Sequence, residues 1–406
     1  MKITLMHYSA PPIVGGVESV IAHQARQMVQ AGHEVKIVAG KGETWDVRIP
    51  VEIIPLMDSR HPQILKSKES LDSGIIPDQF NDLVFQIHRE LDHALNGSDV
   101  VIAHNIASLH KNLALTTALY NYHLAKINHP TLILWHHDLA WGAARYENEL
   151  HPGWPWDLLR KPWPKAKQIT ISEARRIELA ELMEIPLNEI QVVPAGIDLP
   201  SFLYLQPRTA ALMEVLHLDH AAPILLAPVR LTRRKNLELS LSVLAVLRHK
   251  MPQAVLVITG PPGAHNPTNV DYLKQLQKQR IDLGLEGYVH LLAEYVPEGL
   301  TDACVADFYR LADALFLPSR EEGFGIPILE AALTRLPIFC SDLDSLHALA
   351  GDWADYFSPD DKPSKIAGMI LKRLKDDPIF RLRVQIRQSY TWEAVYRRQI
   401  APLLSQ

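Results

Sequence analysis

Pro318-Ser319-Arg320-Glu321-Glu322-Gly323-Phe324-Gly325-Ile326-Pro327-Ile328-Leu329-Glu330 is the stretch on which the reading of the fold turns. The apolar run Ala314–Leu317 precedes it and reads as a strand buried on both faces. The chain then breaks at two glycines and enters a helical pattern, with Pro327 in the first turn, where a missing N–H is tolerated. Strand, tight loop and helix in that order form one unit of a parallel α/β sheet. Gly323 and Gly325 let backbone N–H groups come close to a ligand, and the start of a helix favours anions. Glu322 stands in that loop and Glu330 about one turn into the helix. Carboxylates accept hydrogen bonds from hydroxyls, so the loop suits a ligand carrying both phosphate and sugar hydroxyls. The plainer alternative is a glycine turn with a surface glutamate.

The same unit recurs on both sides. Pro223–Ala227 reads as a strand, followed by a basic loop and a helix from about Asn236. Ala254–Thr259 is the next strand, followed by a Pro/Gly-rich loop at Gly260–Pro267 and a helix from about Asn269 to Leu283. Tyr288–Leu292 and Pro337–Cys340 are further strands, the second after a helix ending at Arg335. The chain opens on the same plan. Lys2–Met6 is a strand, His7–Gly16 a loop with adjacent glycines, and Val17, Val20, Ile21, Gln24, Met28 and Val29 fall near helical spacing until Gly32. Val35–Ala39, Val100–Ala103, Thr131–Trp135, Gln168–Ile171 and Gln191–Val193 continue the series. The alternation predicts α/β architecture, with parallel sheets covered by helices on both faces.

A restart after Ile197 divides the 406 residues into two tandem doubly wound, Rossmann-like domains, 1–200 and 201–385. Residues 386–406 are expected as a C-terminal helix packing back toward the first domain. Ligands of open α/β sheets bind outside the carboxyl ends of the strands. Two such domains facing a cleft predict an enzyme.

Composition narrows the partners. The chain is 47% apolar and 21% charged, with net charge -5 from 41 basic and 46 acidic residues. That excludes a disordered, collagenous or coiled-coil chain, and no basic footprint recommends a nucleic acid. There is no apolar run of about 18 residues, no secretory leader pattern and no polybasic patch for a membrane surface. Two cysteines, Cys304 and Cys340, build neither a disulfide framework nor a cysteine zinc site, and a cytoplasmic setting fits them. The oligomeric state is left open by the sequence.

Arg230-Leu231-Thr232-Arg233-Arg234-Lys235-Asn236 is the second informative stretch. Four cations at the carboxyl end of a strand, just before a helix, form a candidate diphosphate clamp, the arginines as forks and the lysine as a mobile point charge. A solvated basic turn is the alternative, weakened by the glycine-glutamate loop further along.

Here the chain resembles the family 4 retaining glycosyltransferases of GT-B fold. Their pattern is Arg-x4-Lys after the first strand of the second domain, then Glu-x7-Glu around Gly-Phe-Gly. It is matched by Arg230 with Lys235 and by Glu322 with Glu330. Tyr309 to Ser319, Gly15-Gly16 with Glu18, and Val193-Pro194-Ala195-Gly196-Ile197-Asp198 extend the resemblance over essentially the whole chain. It implies that Arg230 and Lys235 hold the donor diphosphate and Glu330 the ribose hydroxyls. Glu322, with the amides of Phe324 and Gly325 beside Gly323, would hold the transferred sugar. Gly15 and Gly16 would admit the donor phosphates, and the backbone near Tyr295 and Val296 would seat the nucleobase. Two positions depart from the pattern. Ala195 stands where the family has Asn, and Ser345-Leu346-His347-Ala348 stands where it often has an Arg-Glu pair.

The first domain is expected to bind the acceptor. His136-His137-Asp138 follows one strand and His104-Asn105 ends another, and family members carry a histidine near the reacting centre in the former place. The residues do not separate His137 from His136. Thirteen of the 19 histidines precede residue 200, yet a zinc site needs three or four convergent ligands, and the resemblance implies no metal and no other cofactor. Trp135, Trp141, Trp154, Trp156 and Trp163 crowd together; indole rings can cover sugar faces or simply pack a long loop.

The reaction these residues imply is transfer of a hexosyl unit, mannosyl or glucosyl, from a nucleoside diphosphate sugar to the hydroxyl of a soluble acceptor, with retention implied by the resemblance. A nucleotide-sugar epimerase, or a silent nucleotide-sugar-binding protein, is the alternative on the same architecture.

Overall fold

The structure, a computed structural model, describes residues 1–125, 130–263 and 268–405. Residues 264–267 of the expected Pro/Gly loop lie outside the described residues. The chain divides into two compact units, one made of Met1–Ile197 with Trp392–Gln406 and the other of Asp198–Thr391.

The first unit is built on seven strands: β1 (Lys2–His7), β2 (Glu34–Ala39), β3 (Val51–Ile53), β4 (Val100–His104), β5 (Thr131–His136), β6 (Lys167–Thr170) and β7 (Ile190–Val192). All pair in parallel, in the order β3-β2-β1-β4-β5-β6-β7. Successive side chains on a strand point to opposite faces, and the core divides accordingly. Ile3, Leu5, Ile102, Ile133 and Trp135 pack on one face with Ile21, Ala25 and Met28 of the helix Gly16–Gln30. Met6, Val101, Ala103, Leu132 and Leu134 pack on the other with the helices Phe80–Ala94 and Leu113–Ala125.

The second unit holds six parallel strands: β8 (Ile224–Ala227), β9 (Val255–Ile258), β10 (Val289–Leu291), β11 (Ala314–Leu317), β12 (Ile338–Ser341) and β13 (Asp355–Phe357). Their order is β10-β9-β8-β11-β12-β13. β8, β9, β11 and β12 are buried along their whole length, which is why they read as unbroken apolar runs rather than alternating ones. In both sheets the winding reverses next to the first strand, between β1 and β4 and between β8 and β11. Such reversals open a crevice at the strands' carboxyl ends.

The segment expected to return at residue 386 does so from Trp392. Arg387 is buried in the second unit, where it donates to the Ala221 carbonyl and pairs with Asp313 at 2.6 Å, and this holds the helix Pro378–Ser389 there. From Trp392 onward the chain completes the first unit. Val395, Tyr396, Ile400, Leu403 and Leu404 join the core beside Ile3 and Leu5. The Pro194-Ala195-Gly196 turn explains the entry point. A Cβ on Gly196 would stand 2.7 Å from the Trp392 ring, and the Trp392 amide donates to the Ile197 carbonyl.

Candidate active site

In the second unit the loops after β8 and β11 meet at the reversal. A short helical turn, Arg233–Lys235, follows β8. It carries Lys235 Nζ to within 2.5 Å of Glu322 Oε1, and Ser319 Oγ donates to the same oxygen at 2.7 Å. Both charges are nearly sealed, with side-chain exposures of 9% for Lys235 and 6% for Glu322. Attraction between buried charges offsets their desolvation only when geometry and hydrogen bonding are good. Because both donors converge on Oε1, Glu322 Oε2 accepts from none of the described residues and is left for a ligand hydroxyl.

The glycines beside it have different duties. Gly325 sits at φ 100°, and a Cβ there would strike Leu346 at 2.6 Å, so backbone and packing both require glycine. A Cβ on Gly323 would meet nothing. The N–H groups of Gly323, Phe324 and Gly325 donate to no described residue, and they precede the helix Ile326–Leu333. Ser345 donates to the Glu322 carbonyl at 2.8 Å. The Ser345-Leu346 departure from the family pattern therefore buttresses the loop from below.

The remaining donor-side residues are arranged around this pair. Glu330 is exposed, and its Oε2 accepts from the buried Tyr309 hydroxyl at 2.5 Å. Burial, with the Glu330 charge beside it, pushes the Tyr309 phenol up, so it remains a donor. Arg230 is exposed and unpaired among the described residues, whereas Arg233 turns away over the Tyr272 ring and onto Gln275. Tyr295 and Val296 lie beyond β10, two strands from the reversal. Their N–H groups both donate to the Leu292 carbonyl, and Val296 accepts from Gly299. Of these backbone groups, the Tyr295 carbonyl accepts from none of the described residues.

The first unit's crevice is built from imidazoles. His7, His104 and His137 end β1 and β4 and follow β5, on the sheet face covered by the helix Gly16–Gln30. His104 Nδ1 lies 3.0 Å from His137 Nε2, and His7 Nδ1 lies 2.9 Å from the His104 carbonyl. A carbonyl only accepts, so His7 carries its proton on Nδ1 and turns Nε2 toward Glu18, 3.9 Å away. Desolvation dominates all three rings. It lowers His7, holds His104 well below the ordinary imidazole range and takes His137 down to about 3, where the nearby His7 and His136 add to it.

The structure also separates the adjacent histidines. His136 points to the opposite face, bonds Gln168 at 2.8 Å and is driven down to about 4 by burial. His137 is the one that joins the cluster. Asn105, at φ 57°, accepts from the amides of His137 at 2.8 Å and Asp138 at 3.3 Å, tying the ends of β4 and β5 together. Gly15 differs from the expectation. The Glu18 carboxylate folds back onto it, and a Cβ would stand 2.0 Å from Oε2, so its missing side chain makes room for Glu18. Glu18 also accepts from Ser9. Gly16, whose Cβ would meet nothing, is the one that leaves open space.

His7, Glu18, Ser319, Tyr309 and Ser345 were not singled out from sequence as site residues. Ser319 and Glu18 act on neighbours three residues away, Glu322 and Gly15, whereas Tyr309, Ser345 and His7 act through Glu330, Glu322 and His104, 21, 23 and 97 positions away. The tryptophans mostly pack: Trp135, Trp156 and Trp163 are buried, Trp163 donates to the Leu158 carbonyl, and Trp154 is exposed edge-on to Phe80. Asp72, His110 and Glu149 are a group with metal-ligand chemistry among the described residues, their ligand atoms within 4.8 Å of one another. Lys68 Nζ already bridges the two carboxylates at 2.6 and 2.8 Å.

Comparison with known proteins bears on what these two crevices serve. Residues 14–200 match the model of Glycosyltransferase Family 4, and residues 209–390 that of Glycosyl transferases group 1. The chain is 25% identical over 369 residues to mannosylglucosylglycerate synthase of Thermotoga maritima, covering 83% of this chain and 80% of that one. It is 24% identical over 432 residues to MMP alpha-(1->4)-mannosyltransferase of Mycolicibacterium hassiacum, covering 99% and 97%. A D-inositol 3-phosphate glycosyltransferase of Kineococcus radiotolerans is 28% identical over 254 residues, 56% of each chain. Both models, and the relatives matched over most of their length, are glycosyltransferases. The chain belongs to the family 4 glycosyltransferases of GT-B fold, and its activity is hexosyl transfer.

Proposed function

We propose that the chain transfers a mannosyl or glucosyl unit from a nucleoside diphosphate sugar to the hydroxyl of a small or glycoside acceptor, with retention and without a metal ion. The observation that carries this reading is the Lys235–Glu322 pair at the β8/β11 reversal, flanked by the exposed Arg230 and the uncommitted N–H groups of Gly323 to Gly325. Cations and amides suit the diphosphate, and Glu322 Oε2 and Glu330 suit sugar and ribose hydroxyls. The Tyr295 carbonyl is the group left to accept from a base. The relatives' mannosyl and glucosyl chemistry supports the choice of sugar.

In the reaction, Arg230 and Lys235 stabilise charge developing on the departing diphosphate, the kind of preorganised electrostatic effect that dominates catalysis. A leaving phosphate oxygen takes the acceptor's proton, so no strong protein base is required. The neutral imidazole of His137, held at about 3, then serves as a hydrogen-bonding group beside the acceptor, with His104, Asn105 and Asp138 around it and His136 turned away. Two buried, free cysteines fit a reducing compartment, and we place the reaction in the cytoplasm. Among the described residues no helix is long and apolar enough to cross a membrane.

The test is a metal-free thermal-shift panel of GDP, UDP, ADP and their sugar conjugates, followed by product analysis with sugar acceptors. A ligand at 100 times its Kd stabilises by about 2.7 kcal/mol, so one nucleotide should stand out. A flat panel would sink the donor assignment, and isomerised donor formed without acceptor would favour an epimerase.

A further inference from the structure

We infer that His104 is a positioning residue that donates from Nδ1 to His137 Nε2 and so fixes His137 in the tautomer carrying its proton on Nδ1. The inference rests on the reading of His137 as a group at the transfer site, and it states what that group can do there.

Two neutral imidazoles joined by one hydrogen bond have two arrangements, which ordinary structures do not distinguish by distance. In the first, His104 donates to His137, His104 Nε2 is bare and His137 presents an Nδ1–H. In the second, His137 donates, His104 Nε2 carries a hydrogen and His137 presents a bare Nδ1. The surroundings of His104 decide between them. The ring is completely buried, and its Nε2 has no partner among the described residues. The second arrangement would therefore strand an N–H in the core, and orphaned buried donors are rarer than orphaned acceptors. The neighbouring ring is Trp135, with centroids 5.4 Å apart. Its indole offers only an N–H, itself without a partner, so no acceptor on that side favours a protonated Nε2. Burial keeps both rings neutral. The titratable groups bearing on the pair are His7 and His136, with Glu18 and Lys111 acting on His7.

His137 Nδ1 bonds no described residue and is the nitrogen left for a ligand. Carrying the proton, it donates to a substrate oxygen and cannot remove a proton from the acceptor. That places the acceptor's proton elsewhere, on an oxygen that the reaction itself supplies.

Nitrogen-15 NMR of the full chain with labelled histidine, assigned by comparison with His137→Asn, reads which nitrogen of His137 is protonated. Wild type should show Nδ1–H. His104→Asn keeps a donor amide near the Nδ1 position and should preserve both the tautomer and most of the turnover. His104→Asp, measured at a pH where its carboxyl is ionised, can only accept, and should move the His137 proton to Nε2. His104→Leu removes the partner altogether. With the last two, turnover at saturating donor should fall about ten- to hundredfold, the effect of losing one hydrogen bond to developing charge, while nucleotide affinity stays unchanged. A wild-type His137 protonated on Nε2 would overturn the inference. So would wild-type turnover in His104→Asp with its carboxyl ionised, or a loss in His104→Asn as deep as in His104→Leu with melting temperature retained. Should His104→Leu fail to fold, the wild-type spectrum and the Asn and Asp variants decide the matter. Nδ1–H in a protein that transfers no sugar would overturn the proposed function and leave the tautomer standing.

Discussion

The two units reverse their winding at the same place and fill the resulting crevice with opposite chemistry. Beside β1 and β4 stand three buried imidazoles held neutral by desolvation. Beside β8 and β11 stand a lysine and a glutamate that neutralise each other and an arginine that is unpaired among the described residues. Topology makes the crevice and side chains choose its ligand. A neutral, donor-bearing crevice suits hydroxyl groups, and a charged one suits a diphosphate.

The comparison breaks most visibly at Lys235. Lys235→Ala leaves the Glu322 carboxylate buried without its cation, and losing one partner of such a pair costs about 3–5 kcal/mol. Thermal melts should show the destabilisation, and calorimetry should show nucleotide affinity falling with it. An unchanged affinity would move the donor site elsewhere. Glu322→Gln is gentler on the fold, since the amide oxygen still accepts from Lys235. It should leave nucleotide binding intact and slow sugar transfer by roughly 10²–10³, as for loss of one group that stabilises the transition state. Equal turnover would remove Glu322 from the sugar site.

Acid tests the neutral half. His136, held at about 4 by burial, binds fewer protons folded than unfolded below the ordinary imidazole value near 6.5. Its contribution is therefore complete above about pH 6.5 and declines as pH falls toward 4, by about 2 kcal/mol at pH 5. The melting temperature of His136→Gln should fall less between pH 7 and 5 than that of wild type. Parallel curves would show that the ring is not held neutral. The smallest contrast lies between adjacent glycines. Gly15→Ala turns the flexible end of Glu18 away from Ser9 and should cost about 0.5–1.5 kcal/mol, the worth of one hydrogen bond. Gly16→Ala faces open space and should stay within about 0.5 kcal/mol. Differential scanning calorimetry of the two variants would reverse the assignment if Gly16→Ala proved the costlier.

Much of this was readable in the residues. Eleven of the thirteen strands among the described residues announce themselves as apolar runs after or before glycine and proline punctuation. β3 and β13, three residues each, half-buried and at sheet edges, carry too little periodicity to be read. The charged crevice was legible because its loops carry unusual residue types at short spacing. The imidazole crevice was only half legible. Nothing in the sequence joins His7 to His104 across 97 positions, or tells His136 from His137, whereas the alternation of side chains on β5 settles the latter at once. Glu18 lying on Gly15 was likewise hidden, because a glycine reads the same whether it admits a ligand or a neighbour.

The closure of the first unit by Trp392 and the residues after it has a temporal side. On a ribosome the β1–β7 sheet emerges before the second unit, yet the layer that includes Ile3, Leu5 and Trp135 lacks Tyr396, Ile400 and Leu403 until the second unit has been made. The second unit, continuous from Asp198 to Thr391, is fully synthesised before those residues appear. The first unit is thus sealed only after the second has been synthesised, and a chain cut just after Thr391 would hold every residue of the charged crevice while lacking the layer that closes the core under the neutral one.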